Sequence, residues 1–401
     1  MTLPQRLTAL LLLLCVCMPI TALDDEHWKK AKNSIDKGIA YLRAQQAEDG
    51  SWMPDMGPAV TGLALTALLE QPDIGPDDET AGKAIAYILK HVQDDGSIRK
   101  GPDGILASYN TALCLSALAR IGGSNPEAAS AIKGGQEFLK GTQWINGMKD
   151  PDGKTIDEDH PYYGGFGYGK HGRPDISNTQ LALQALHDTG VDCEDPAFKR
   201  ALSFLNRIQA VESNDKNADK FEELDGGFIY STTINKDAIG VPESKASQDQ
   251  IDEGIAGRPV SGLRTYGSVT YAGFKSMIYA NLDRDDPRMV AAMGWIKKNY
   301  ELHQNPGMPE EQKLQGLFYY YLTKARALNA YGNSSIEVEL PAVDGAKPKT
   351  EKRDWANDLI DVVVSQQHEE GWWANTESRW LESQPVLVTA YSLIALQNAI
   401  D

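Results

Sequence analysis

Basic residues are scarce in this sequence of 401 residues. Lysine and arginine number 39 against 56 aspartates and glutamates, which leaves a net charge of −17. A protein that binds nucleic acid needs clustered cationic side chains that displace counterions from phosphate, so this composition disfavours a nucleic-acid partner. For the same electrostatic reason it disfavours attachment to an anionic membrane surface.

Cysteines are equally few, and they support no metal site. Cys15 and Cys17 lie near the N-terminus, Cys114 lies in an apolar helical pattern, and Cys193 lies in an acidic loop. We expect Cys114 and Cys193 to be unpaired, with a disulfide bond between them as the alternative in an exported protein. The sequence has no CxxC pair and no Cys/His cluster, so we expect no metal and no cofactor.

Long apolar runs are also lacking, apart from LTALLLLLCVCMPI at 7–20. This run is shorter than the roughly 20 residues that span a bilayer. It follows a short segment with one basic residue, Arg6, and precedes the acidic stretch DDE. The pattern predicts a signal peptide at 1–22 and an exported protein, periplasmic or secreted. We expect the mature chain not to be integral to a membrane.

Internal repetition dominates the rest of the chain. Six times, a charged helical stretch is followed by a loop rich in glycine and aromatic residues and then by an Ala/Leu-rich helical stretch. The first unit pairs KGIAYLRAQQAEDGSW (37–52) with AVTGLALTALLE (59–70), and the last pairs DLIDVVVSQQHEEGWW (358–373) with VLVTAYSLIALQNAI (386–400). A helix that is apolar on nearly all sides is buried on several sides. We therefore expect an all-α fold without a sheet, an α/α toroid of six helical hairpins over 27–401.

Polar segments interrupt this repeat at four places. Three are insertions, at 145–163, 210–224 and 231–262, and the fourth is a polar linker at 333–352. Loops of such length inside a compact domain are usually functional or disordered. The insertion at 231–262 is a candidate to close over the centre of the ring.

The first repeat unit resembles the QW repeat of squalene and oxidosqualene cyclases. The matching positions are Lys37, Gly38, Tyr41, Gln46, Gly50 and Trp52, and the last unit repeats the end of the motif with Gln367, Gly371 and Trp373. Similar repeats occur in the β subunits of protein prenyltransferases. The resemblance implies an α/α toroid in which the Gln and Trp side chains tie the ends of outer helices to loops.

The stretch RPDISNT (173–179) occupies the place where class II terpene cyclases of this kind carry an Asp-x-Asp-Asp motif. Asp175 matches the first aspartate, Ser177 stands at the position of the proton donor, and Asn178 stands at the last position. A serine hydroxyl is too weak an acid to protonate an alkene, so ordinary cyclase chemistry is not expected here. A terpene cyclase would need a non-standard acid, for which Asp157 and Asp159 are candidates. Asp175 and Ser177 are also ordinary N-cap residues.

The sequence lacks the zinc ligands that a protein prenyltransferase needs. That family binds catalytic zinc through an Asp-x-Cys pair and a distant histidine, whereas Asp192 and Cys193 are adjacent in this sequence. We therefore do not expect zinc-dependent prenyl transfer.

Tyr, His and Arg residues cluster at the predicted starts of the inner helices, which should line one mouth of the ring. The ligand-binding candidates are Tyr109, Tyr163, Arg264, Tyr266, Tyr271 and Tyr320, and the catalytic candidates are Asp175, Ser177, Asn178, Tyr163, His171 and Arg173. Tyrosine walls with few charges suit a small hydrophobic or isoprenoid ligand. A Tyr or His base beside Arg suits a carbohydrate ligand and a polysaccharide lyase or hydrolase. Tyrosines at helical spacing are also common in cores, and the sequence leaves the ligand, the chemistry and the oligomeric state open.

Overall fold

The computed structural model describes residues 23–101, 106–121, 123, 125–169, 172–247, 261–340 and 349–401. The segment predicted to be a signal peptide and the candidate His171 lie outside these residues. Within them, no helix combines the length and the apolar character needed to cross a membrane.

Charged and Ala/Leu-rich helices alternate along the described chain. The twelve α-helices found there are α1 (Asp25–Ala44), α2 (Ala59–Leu69), α3 (Glu79–Lys90), α4 (Ala107–Ala119), α5 (Pro126–Thr142), α6 (Ile176–Asp188), α7 (Pro196–Arg207), α8 (Gly267–Tyr279), α9 (Pro287–Lys298), α10 (Leu317–Tyr331), α11 (Trp355–Ser365) and α12 (Pro385–Ile400).

The even-numbered helices form a closed inner ring. Each contacts the next, from α2 with α4 through to α10 with α12, and α12 contacts α2 again. The odd-numbered helices pack outside this ring; α1, for example, contacts α12, α2 and α11. Residues 59–68 of α2 are all buried, whereas α1 buries one stripe that includes Ala31, Ile35 and Leu42. The apolar sequence of the inner helices and the one-sided sequence of the outer helices account for this difference.

The expectation of a fold without any sheet is wrong at one place. Strand β1 (Ser335–Leu340) pairs antiparallel with β2 (Lys349–Asp354), and both strands begin inside the segment 333–352 predicted to be a polar linker. Ile336 and Val338 are buried and alternate with glutamates along β1. Because alternate residues of a strand share one face, this apolar face can cover the outer helices α9 and α11, which β1 contacts.

The loop after an outer helix is locked onto the next outer helix around the ring. Gln46 Nε2 donates to the carbonyl of Gly50 at 3.1 Å and to that of Thr80 in α3 at 2.9 Å. Equivalent pairs of bonds are made by Gln143 to Gly164 and Ala197, by Gln209 to Gly226 and Arg288, and by Gln367 to Gly371 and Ser34. These bonds fix the loops that lead into the inner helices, and so they fix the mouth of the ring.

Buried tryptophans anchor the same loops. The indole N–H of Trp52 donates to Leu42 O in α1, and that of Trp373 donates to Val363 O in α11, both at 2.8 Å. A threonine near the start of five inner helices accepts a backbone N–H from the preceding loop. These threonines are Thr61, Thr111, Thr179, Thr270 and Thr389. These five inner helices therefore begin at a fixed place relative to their loops.

Candidate functional site

A chamber of about 220 Å³ lies where the N-terminal halves of the six inner helices meet. Its α2 side is aliphatic, formed by Ala59, Val60 and Leu63. Elsewhere the wall carries six tyrosines, which are Tyr109, Tyr168, Tyr230, Tyr266, Tyr319 and Tyr391. The chamber therefore combines an apolar surface with phenol hydroxyl groups.

The hydroxyl groups of this wall are linked to one another. Tyr168 and Tyr230 place their hydroxyl oxygens 3.3 Å apart. The Tyr319 hydroxyl lies 3.5 Å from Ser177 Oγ and accepts a hydrogen bond from Gln180 Nε2 at 3.1 Å. Burial raises the pKa of Tyr168 and of Tyr319 far above the usual value of 10.0. These tyrosines are therefore neutral hydrogen-bonding groups and not bases at ordinary pH.

Asp175 is the N-cap of α6 and is fully buried. Its Oδ1 accepts the backbone N–H of Asn178 at 2.9 Å, and its Oδ2 accepts the Asn178 side-chain amide at 2.8 Å. Burial raises the pKa of Asp175 to about 6, although both bonds and the nearby Arg173 oppose that shift. Ser177 lines the chamber, whereas neither Asp175 nor Asn178 does. A hydroxyl group therefore faces the chamber at the position where a cyclase keeps its acid.

Glu382 places a carboxyl group in the chamber wall, and no motif in the sequence marks this residue. Its side chain accepts the backbone N–H groups of Tyr319 at 2.8 Å and Phe318 at 3.3 Å, and the Asn375 amide at 2.7 Å. It thereby caps α10, whose N-cap residue Gly316 has no side chain to do so. Burial raises the pKa of Glu382 to about 7 in spite of these three donors.

Tyr271 and Tyr320 lie in the core and do not line the chamber. Their rings meet edge to face, with centroids 5.7 Å apart. Tyr320 directly follows the chamber residue Tyr319, and successive residues of an α-helix point about 100° apart, so the two rings face different neighbours. Tyr109 and Tyr266 do line the chamber.

The remaining sequence candidates are dispersed. Tyr163 belongs to a separate buried cluster with Trp144, Ile156 and Tyr162. Arg264 is exposed, 3.7 Å from Glu222. Arg173 pairs with Glu243 at 2.7 Å and lies over the Tyr230 ring, 5.7 Å from its centroid.

The alternative acids Asp157 and Asp159 are both exposed. Asp159 pairs with Lys216 at 2.9 Å, and this partner lowers its pKa. Neither residue lines the chamber, so neither is in a position to protonate a ligand there.

Tyr230, which lines the chamber, and Ser231, the first residue of the 231–262 insertion, contact RPDISNT. The Ser231 hydroxyl donates to Pro174 O at 2.7 Å, and the Ile176 N–H donates to Tyr230 O at 2.9 Å. On another side, Trp380 and Leu381 line the chamber while 43% and 37% exposed. Both adopt left-handed φ angles, 56° and 65°, which are costly for residues other than glycine.

Metal ligands are not gathered anywhere in the parts of the chain that the structure covers, where no three His, Cys, Asp or Glu residues could hold one ion. Cys114 is buried and Cys193 is half-buried, and both are free thiols. Burial raises the pKa of Cys114 well above its usual value, so this thiol is inert at neutral pH.

Comparison with known proteins shows the fold. No family model and no curated protein matches the sequence. Among solved structures, the type II terpene cyclase MstE from Scytonema with its product merosterolic acid A is 14% identical, with a TM-score of 0.52 over 94% of this chain and 99% of the other. Unsaturated glucuronyl hydrolase from Streptococcus agalactiae is 12% identical, with a TM-score of 0.50 over 94% and 91%. The chain therefore has a terpenoid cyclase-like α/α toroid fold, as the QW repeats imply.

Proposed function

We propose that the protein is an exported toroid of six helical hairpins that binds a small, largely hydrophobic ligand, such as an isoprenoid, in its chamber. The single observation that carries this function is the chamber itself, which six tyrosine rings and the aliphatic side of α2 surround. Burial of apolar ligand surface is favourable by roughly 25 cal/mol per Å². The signal-peptide pattern at 1–22 supports export.

The chamber has room for an organic ligand. Its volume of about 220 Å³ is well above the roughly 10–15 Å³ that one water molecule needs on the same kind of measure. A small isoprenoid, or one end of a longer one, is therefore a suitable ligand to test.

Ordinary class II cyclase chemistry is not part of this function, because Ser177 faces the chamber where the acid is needed. The terpene cyclase MstE binds geranylgeranyl dihydroxybenzoate as its substrate on the same fold. An isoprenoid is therefore a reasonable first probe for this chamber.

Calorimetric titration with geraniol tests the proposal. We expect saturable binding by the wild type. Tyr266→Ala should lose at least tenfold in affinity, because it removes a ring from the chamber wall; a tenfold loss corresponds to about 1.4 kcal/mol. Tyr266→Phe keeps the ring and should retain most of the affinity. Tyr41→Ala, on the outer helix α1, is the matched control. Absence of wild-type binding, or equal binding by Tyr266→Ala, would contradict the proposal.

A second candidate function is hydrolysis or cyclisation with Glu382 as a non-standard acid. The observation that favours it is a carboxyl group in the chamber wall whose pKa is raised to about 7 by burial. Such a group is partly protonated near neutral pH and suits general acid catalysis on an epoxide or an enol ether. It replaces Asp157 and Asp159 in this role.

Turnover assays separate the two candidates. An epoxide of a short polyene and an unsaturated uronide, suggested by the glucuronyl hydrolase of the same fold, are the two substrate probes. If Glu382 is the acid, Glu382→Gln abolishes turnover and leaves geraniol affinity within a few-fold. If the wild type turns over neither probe, the enzymatic hypothesis is contradicted and the proposed binding function is unaffected.

A further inference from the structure

The opposite mouth of the toroid, where the inner helices end, holds two buried cations that share one neutral acceptor. Lys275 on α8 and Arg326 on α10 are 1% and 5% exposed. Arg326 Nη1 donates to Gln184 Oε1 at 3.1 Å, and Lys275 Nζ donates to the same oxygen. Across the described residues, neither cation has a carboxylate oxygen within the 4.0 Å of an ion pair.

The nearest carboxylates already face a third cation. Arg120 pairs with Glu70 and lies 3.8 Å from Asp188. Three basic groups against two acidic ones leave one positive charge in excess when all are ionised. Burying a charge without a direct partner is costly, so this arrangement calls for a further negative group. Burial and the neighbouring Arg326 lower the pKa of Lys275 well below its usual value, so this lysine relieves the excess by losing its proton unless a further negative group binds.

Arg326 also lines an open pocket of about 400 Å³ between the ends of α6, α8, α10 and α12. The other polar groups of its wall include His187, Tyr279, Asn329 and Asn398. The His187 and Tyr279 rings stack with centroids 4.1 Å apart and planes 12° apart, which presents a flat aromatic surface. A planar guanidinium group matches the two oxygens of a carboxylate.

Negative groups near the pocket limit the charge of its ligand. Asn329 Nδ2 donates to Asp401 Oδ2 at 3.2 Å, and Asp188 lies beside His187. Both carboxylates would repel a dianion more strongly than a monoanion, and one guanidinium group matches one monoanion. We propose that this pocket binds a small oxyanion, a monocarboxylate with a flat apolar body, against Arg326. This site is separate from the tyrosine-lined chamber and does not depend on the function proposed for it.

Benzoate and its neutral isostere benzamide test the proposal in thermal unfolding and calorimetry at constant ionic strength. We expect benzoate to raise Tm with saturation, because a ligand that binds the folded state stabilises it. Benzamide should bind at least tenfold more weakly. Inorganic phosphate serves as the second oxyanion, and a stronger effect of phosphate than of benzoate would overturn the assignment to a monocarboxylate.

Variants at and around Arg326 test where benzoate binds. Arg326→Met should abolish the benzoate effect, whereas Arg284→Met, an exposed arginine close by, and Tyr266→Ala in the chamber should retain it. Should Arg326→Met fail to fold, Asn398→Asp adds a carboxylate to the pocket wall and must weaken benzoate at least tenfold. An unchanged benzoate affinity in Asn398→Asp, an equal effect in Arg326→Met, or no effect of any oxyanion on the wild type overturns the proposal.

Discussion

Two opposing effects act on the pKa of Glu382: its three hydrogen-bond donors lower the pKa, and burial raises it. Burial prevails and raises the pKa to about 7 from an ordinary 4.5. Between these values the folded protein binds more protons at this group than the unfolded chain does. The stability that the group contributes is therefore fully present below pH 4.5 and is lost as the pH rises through 7.

Replacing Glu382 with glutamine should consequently flatten part of the pH dependence of stability. We expect the fall in Tm of the wild type between pH 4.5 and pH 7 to be smaller in Glu382→Gln, as measured by calorimetry across that window. Asp175, with its pKa raised to about 6, leaves a residual slope of the same sign. The exposed Glu310→Gln is the control. A Glu382→Gln slope equal to that of the wild type would refute the assignment.

The pKa shift of Lys324 changes stability with pH in the opposite direction. Its ammonium lies 3.8 Å from the centroid of the Tyr300 ring and 3.3 Å from the Tyr320 hydroxyl, and it has no exposed surface. Burial lowers its pKa to about 7 from 10.5. The unfolded chain therefore binds more protons between these values, and the contribution to stability is full above pH 10.5 and is lost as the pH falls through 7.

Lys324→Met should remove this part of the pH dependence of stability. We expect the wild-type Tm to rise between pH 7 and pH 10 and the rise to shrink in Lys324→Met, which should also be at least as stable as the wild type at pH 6. Replacing a buried charge by an apolar side chain of similar length is often neutral or stabilising. Lys298→Met on the surface of α9 should show the wild-type slope, and a parallel slope in Lys324→Met would count against the effect.

Local sequence patterns place a residue relative to the start of a helix. Ser177, Tyr109 and Tyr266 lie at or just before the start of an inner helix, and helix starts are readable from spacing and caps. Glu382 has no such pattern, because its partner Tyr319 lies 63 residues away along the chain. Tyr320 shows the converse limit, since membership of the right helix does not fix which way a ring points.

At the scale of elements, loop glycines determine how closely neighbouring units approach. Gly164 has φ +82°, and a Cβ atom added there would lie 1.9 Å from the carbonyl oxygen of Arg200 in α7. The same close approach to the next outer helix recurs at other loop glycines, which are Gly50, Gly96, Gly226 and Gly371. The repeated Gly in the loops is therefore required by backbone contact as well as by the turn.

Alanine substitution separates these two requirements. Gly164→Ala carries both the cost of a left-handed φ, about 1–2 kcal/mol, and a clash with Arg200 O. Gly190→Ala has a similar φ of +79° with no atom within 4 Å, so it carries the first cost alone. Chemical denaturation should show a free energy of unfolding that is lower for Gly164→Ala than for Gly190→Ala. Equal losses would mean that the loop moves away without cost.

The β1–β2 hairpin marks the element that sequence reasoning missed. SIEVEL alternates apolar and acidic residues, which is a strand pattern, but its second strand KTEKRD is polar throughout. A pairing partner without an apolar face carries no periodic signal, so the segment resembles a linker. The helices are far more predictable, because their Ala/Leu composition and their one-sided stripes extend over three or more turns.

At the scale of the whole molecule, the ring closes by the same contacts that join its interior units. Gln367 donates to Ser34 O in α1 and to Gly371 O, both at 2.9 Å, as Gln143 does to Ala197 and Gly164. In an open solenoid each repeat contacts its neighbours alone, so damage at a terminal repeat is tolerated locally. In a closed ring α1 and α11 are neighbours, and no unit is terminal.

The contacts between α11 and α1 that close the ring should therefore stabilise the fold as much as the contacts between interior units. We expect Gln367→Ala and Gln143→Ala each to lower the free energy of unfolding by about 1–3 kcal/mol, because each leaves two backbone carbonyls without a donor. Denaturant unfolding followed by circular dichroism should keep one transition with an unchanged m-value in both variants. Gln45→Ala, an exposed glutamine beside the first motif, should be neutral. A neutral Gln367→Ala, or an early separate transition, would show that α1 is attached to the ring too weakly to close it.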